Sequence, residues 1–126
     1  LGRPINGSQD NKAPSLSGTK TVGPAANDAT STAAITDITT NGLAGALTLE
    51  LQTGYTPAYA AANETYPLTF PSFAGTSGTN TVTIVPNASV AALIKLTSAS
   101  TTANVYMNAG SNIIFDGRNG GAGTNK

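Results

Sequence analysis

The spacing of hydrophobic and polar positions changes period once along this chain. In "NDATSTAAITDITTNG", Ala33, Ala34, Ile35 and Ile38 fall on one face of a 3.6-residue repeat. Asp28, Thr30 or Ser31 offers an N-cap, and Asn41 with Gly42 offers a stop. One helix of about three turns is predicted, with low intrinsic propensity because threonine is frequent in it. Beyond it, residues 47–51 alternate apolar and polar side chains, as a half-buried strand does. Short runs follow at 67–70, 82–85, 93–96, 105–107 and 113–115, each bounded by Gly, Asn, Ser, Pro or Thr. Residues 20–24 read as a short opening strand halted by Gly-Pro. Residues 1–18 have no apolar period and two prolines, and read as an arm or linker before a domain over 19–126.

The pattern predicts a mainly β chain with one short N-terminal helix. Ile84, Ile94, Val105 and Ile114 lie roughly ten residues apart, so every second strand recurs at about twenty, a known solenoid interval. A β-sandwich of short strands is the alternative. Two features favour the start of a parallel β-helix. No two-residue Asn-Gly hairpin turn joins the strands, and a lone helix stands at the front, where a solenoid needs a cap.

Composition narrows the function. Charged residues are 10% and net charge is zero. Six scattered basic residues make no basic face, so nucleic acid is not an expected partner. The apolar runs are too short to span a bilayer. With no Cys and no His, thiol nucleophiles, disulfides, Cys/His zinc sites and a Ser-His-Asp triad are excluded. No metal, cofactor or enzymatic activity is expected. Low charge with abundant Thr, Asn and Ser leans towards an extracellular or cell-surface location.

"KTVGP" followed by "STAAITDITTNGLAGALTLEL" resembles the opening of large, repeat-rich surface proteins of Bacteroidetes. "ETYPLTFPSFAGTSGTNTVTIVP" and "VYMNAGSNIIFDGRNGG" resemble later segments of the same proteins. The likeness runs from about Thr19 to Gly121 and consists of structural residues. It departs at Ala109 to Asn112, where the family has Gly-Ala-Asp. Members continue for many more coils and end in a sorting domain, and neither is in this sequence. The resemblance implies a right-handed parallel β-helix, adhesin-like, carried to the surface by the type IX secretion route.

Candidate site residues are few. Tyr55, Tyr59 and Tyr66 crowd the "GYTPAYAAANETYP" stretch, where exposed rings bind sugars or anchor an interface and buried ones cover a core. Glu50 and Glu64 are the pair to consider for glycoside hydrolysis, which needs two carboxyls about one bond, but solvation at the surface is the simpler reading. Asp116 with Arg118 suggests calcium or an acidic sugar, although Asp-Gly is first a turn and calcium needs more oxygens. Asn6, Asn63 and Asn87 open glycosylation sequons.

The expected function is a non-enzymatic building block of an extracellular adhesin or filament. A β-helix left uncovered after Phe115 would present unpaired backbone groups that template another strand. The rest of a longer chain is one expected cover. Self-association is the other, head-to-tail or by strand addition, with the 1–18 arm as a clasp. Glycan binding through the tyrosines is the alternative.

Overall fold

The computed structural model describes residues 15–91, 94–96 and 103–122. In chain order these form β1 (Leu16–Val22), α1 (Ser31–Asn41), β2 (Leu43–Leu51), α2 (Pro57–Asn63), β3 (Leu68–Phe70), β4 (Val82–Pro86), β5 (Val105–Met107), β6 (Ile113–Phe115) and a 3-10 turn (Asn119–Gly121). The expected helix forms as its caps predicted. Thr30 Oγ1 accepts from Ala33 N at 3.0 Å, and Gly42, at φ 67, closes the other end by donating to Ile38 O at 2.8 Å. Its threonines are tolerated because Thr36, Thr39 and Thr40 return their hydroxyls to carbonyls one turn back.

Strands β1, β2, β4 and β6 make one sheet in that order, and β3 and β5 make a second. All four pairings are parallel. From β2 onward the chain alternates between the sheets. Beyond a shift between Leu16 and Gly18 of β1 the register is continuous, so residues stack in rows. Lys20, Leu49, Ile84 and Phe115 form one row, and Thr19, Thr48, Thr83 and Ile114 form its neighbour. In the second sheet Leu68 stacks on Val105 and Phe70 on Met107. The core lies between α1 and the two sheets and includes Val22, Ile38, Leu47, Leu49, Phe70 and Val82. Helix α1 packs on β1 and β3, on the side of the first strand that faces the core.

Several expectations change. The chain is a mixture of parallel sheets and helices, more helical than a mainly β reading allowed. The parallel pairing also departs from the antiparallel sandwich. The second helix lies in the tyrosine stretch, where Thr56 caps it by accepting from Tyr59 N, Pro57 sits in its first turn and alanines fill it. Strand β1 begins at Leu16, taking Leu16, Ser17 and Gly18 out of the proposed arm; residues 1–14 lie outside the described ones. Ile94, Lys95 and Leu96 form no strand, though Ile94 and Leu96 pack on the core; Leu93 is outside the described residues. Return to the same sheet takes from Leu47 to Val82 and from Val82 to Ile113, well beyond a twenty-residue coil.

Those long connections need special backbone. Gly75, at φ 86 in the loop before β4, lies against the start of β2, and a Cβ there would meet Leu43 O at 2.1 Å. Gly78 in the same loop faces open space. Gly75→Ala should lower stability by roughly 1–3 kcal/mol, the scale of a strained backbone position. Gly78→Ala should stay within about 0.5 kcal/mol of the parent, as surface changes do. Thermal and denaturant unfolding followed by circular dichroism checks both.

Candidate functional site

Three polar clusters and one apolar face carry the chemistry of the described residues. The first cluster is built on Glu64, at the C-cap of α2. Its carboxylate turns to the N-terminus of α1 and accepts from Ser31 N at 2.6 Å, Thr32 N at 2.9 Å and Thr32 Oγ1 at 2.7 Å. A carboxylate there satisfies N–H groups that have no partner within the helix and meets the positive end of its dipole. The Tyr55 hydroxyl also donates to Glu64. Ser31 Oγ lies 3.1 Å from the Tyr55 oxygen and supplies the proton of that contact, since the tyrosine's own is committed to Glu64. Burial first, and the Glu64 carboxylate second, push the Tyr55 phenol well above its ordinary 10.0.

The tyrosines therefore differ in what they present. Tyr55 is buried, and its ring meets Tyr59 edge-on at a centroid separation of 5.8 Å. Tyr59 is half-buried and donates to Ala29 O at 2.6 Å. Tyr66 is half-buried against the core, its hydroxyl 3.5 Å from Ala60 O. In this arrangement the tyrosine stretch fastens α1 and α2 together. Glu64 is half-buried and fully engaged, which differs from the solvated position expected of it.

Glu50 has separate duties. It accepts from Gln52 Nε2 and Asn87 Nδ2, each at 2.9 Å, and so ties the ends of β2 and β4. Glu50 and Glu64 share no hydrogen-bond partner, and each carboxylate is spent on the fold. Of the sequon asparagines, Asn63 donates to Tyr59 O, Asn87 to Glu50, and Asn6 lies outside the described residues.

The second cluster, missed in the sequence, joins Lys20 of β1 to Asp28 and to Asp37 of α1. Lys20 Nζ is in direct contact with Asp37, and Asp28 Oδ2 lies at 3.3 Å. The buried Asp28 oxygen makes a charge contact and no aligned hydrogen bond. Burial alone would lower the Lys20 pKa, but the two carboxylates outweigh it and hold it above 10.5. Lysine in the leucine-bearing row of the strands is explained by this pairing. The edge of β1 is occupied beside it. Thr21 N donates to Asn27 Oδ1 at 2.9 Å, and Thr21 O accepts from Asp28 N at 3.0 Å.

The third cluster is local. Asp116 accepts from Arg118 N, and from its guanidinium at 3.0 and 2.8 Å, which closes the turn after β6. Asn119 donates to Val90 O, seating that turn on the one after β4. Among the described residues no group of three or more acidic side chains is placed to hold a metal, and no helix is long and apolar enough to cross a membrane.

The apolar face is at the last strands. Tyr106, Met107, Ile114 and Phe115 are 52, 43, 46 and 51% exposed, the large hydrophobics that stand out of an otherwise buried set. Met107 and Phe115 occupy the same rows as Phe70 and Ile84, facing inward. Phe115 meets the Phe70 ring edge-on at 5.7 Å. An apolar cleft of about 180 Å³ runs between the sheets from Ile35 on α1 to Phe115. No family model, curated protein or solved structure matches the chain.

Removing the Glu64 carboxylate strands a buried phenol and two helix N–H groups. Glu64→Ala should cost about 2–3 kcal/mol, as loss of hydrogen bonds to a charged group does, and Tyr55→Phe roughly 1 kcal/mol. A phenol with a folded pKa above its unfolded value stabilises fully below about pH 10 and loses that contribution as pH rises further. Stability of the parent should thus fall more steeply above pH 10 than that of Tyr55→Phe, read from urea midpoints across the alkaline range.

Proposed function

We propose that this chain is the capped opening of a parallel β-helix and serves as a non-enzymatic structural or adhesive module at the cell surface, joined to its neighbours through open β edges. One observation carries the reading. Rows of inward-facing residues run in register from β2 through β4 to β6 and from β3 to β5, and they end on Met107 and Phe115 half in solvent. Side chains in core rows are exposed where no further rung lies on them.

Placement of the polar groups supports the same view. Glu50, Glu64, Lys20, Asp28 and Asp37 hold strands and helices together. The hydroxyls of Tyr55, Tyr59 and Tyr66 are engaged within the fold, which favours the last strands over the tyrosine stretch as the binding surface. Low charge and a surface rich in Thr, Asn and Ser support an extracellular setting, as does the resemblance to Bacteroidetes surface proteins.

The purified chain should self-associate reversibly as its concentration rises. Phe115→Lys or Ile114→Lys should abolish association while leaving the far-ultraviolet circular dichroism unchanged. Sedimentation velocity over a wide concentration series reads this, and a single monomeric boundary throughout would remove the reading.

A further inference from the structure

Lys20 stands on β1 in the row that continues through Leu49 and Ile84, positions otherwise apolar. Its ammonium meets two carboxylates, Asp28 from the loop after β1 and Asp37 from α1. The side chains of Lys20, Asp28 and Asp37 are 19, 12 and 27% exposed, so the group is shut away from most solvent. Nζ is in direct contact with Asp37 Oδ2. Asn41 Nδ2, one turn further along α1, donates to the other oxygen, Asp37 Oδ1, at 2.5 Å. Asp28 Oδ2 lies 3.3 Å from Nζ, buried and with no hydrogen bond of its own. The Asp28 backbone fixes it there, donating to Thr21 O at 3.0 Å and accepting from Gly23 N at 2.9 Å. A structural ion pair needs one carboxylate. A second, sheltered one adds a desolvation cost that the single lysine cannot fully offset.

We infer that this cluster is a modification site, at which Lys20 and Asp37 condense to an isopeptide bond between Nζ and Cγ while Asp28 carries protons. The inference is independent of how the chain meets its neighbours. As an ammonium the lysine cannot attack, and as a carboxylate Asp37 resists attack. Transfer of one proton from Nζ to Asp37 Oδ2 gives a neutral amine and a neutral acid, a pair that a site short of water favours. The Nζ lone pair then adds to Cγ, and the C=O electron pair moves onto Oδ1. There the Asn41 amide donates to the developing negative charge. Asp28 takes a second proton from Nζ and passes it to Oδ2. The Cγ–Oδ2 bond breaks, and water leaves as the carbonyl re-forms at Oδ1. The amide keeps one hydrogen on nitrogen, and Asp28 ends as the carboxylate it was. Nothing is oxidised or reduced, and no co-reactant is consumed. Condensation is unfavourable between free groups in water. The fold offsets this by holding amine and acid together, since well-oriented intramolecular pairs reach effective concentrations of about 10⁵ M or more. The product ties β1 to α1 covalently, across the crossing that the ion pair already fastens.

Intact-mass spectrometry of the folded chain, denatured for the measurement, reads the reaction. The parent should weigh about 18 Da less than its sequence, the mass of one water. Tandem spectra of a digest should join Lys20 to Asp37. Lys20→Arg keeps the positive charge but supplies no attacking amine, and it should show its full mass. Asp28→Asn leaves Lys20 beside Asp37 and removes the proton carrier. It should keep its full mass through the interval in which the parent is converted. Circular dichroism checks that both variants fold, and the linked peptide from the parent decides the matter even where one does not. A folded parent that keeps its full mass would overturn the inference and leave an ion pair alone. Water lost equally from Lys20→Arg would place the loss at another residue and overturn it too. Conversion of Asp28→Asn at the parent's rate would overturn the part given to Asp28.

Discussion

A parallel strand cannot be paired through a tight hairpin, because the chain must first travel back to the end from which the previous strand began. That constraint organises everything described here. Each return to the larger sheet costs a long connection, and the chain uses those connections to build the rest of the domain. The first contains α1, the second contains α2 and β3, and the third contributes β5 and the packing of Ile94 and Leu96. Parallel sheets are stable when their faces are covered. The crossing segments supply that cover, since α1 and the second sheet bury Leu47, Leu49 and Val82.

Polar side chains are used mainly to fasten the crossings. Glu64 brings the end of α2 to the start of α1, and Lys20 brings β1 to the middle of α1. Helix α1 is thereby held at both its N-terminus and its flank across the first strand. Its own sequence would hold it poorly, because its threonines favour extended backbone and its apolar face is short. Most of its stability comes from these tertiary contacts. The polar side chains of these clusters are thus committed to holding the crossings in place.

The front and back of the stack are finished differently for a physical reason. A side chain can imitate a neighbouring strand only where it reaches the backbone, as Asn27 does at Thr21. At β5 and β6, Met107 and Phe115 continue the core rows of Phe70 and Ile84 and stand half in solvent, while Tyr106 and Ile114 lie in the outward rows of Thr69 and Thr83.

Local signals were legible wherever they acted locally. The caps Thr30 and Gly42 fixed α1, and alternation or β-branched content fixed β2, β4, β5 and β6, because caps and periods act over a few residues. The strand expected at 93–96 did not form in its described residues, since a short apolar run reads the same whether it packs as a strand or as a loop. Helix α2 was passed over because its signal is brief and lies among tyrosines that suggested a surface. The Glu64–Tyr55–Ser31 contact spans 33 residues and the Lys20–Asp37 contact 17, and no spacing rule announces pairs brought together only by packing. By itself, then, the sequence placed the first helix and the approximate positions of β2 to β6, and it contains no thiol or imidazole. The tertiary structure alone decided the length of each return to the larger sheet, the burial of Tyr55 and the service of Glu64 as a helix cap. Those depend on which residues meet across long connections, a matter settled by parallel register and core packing.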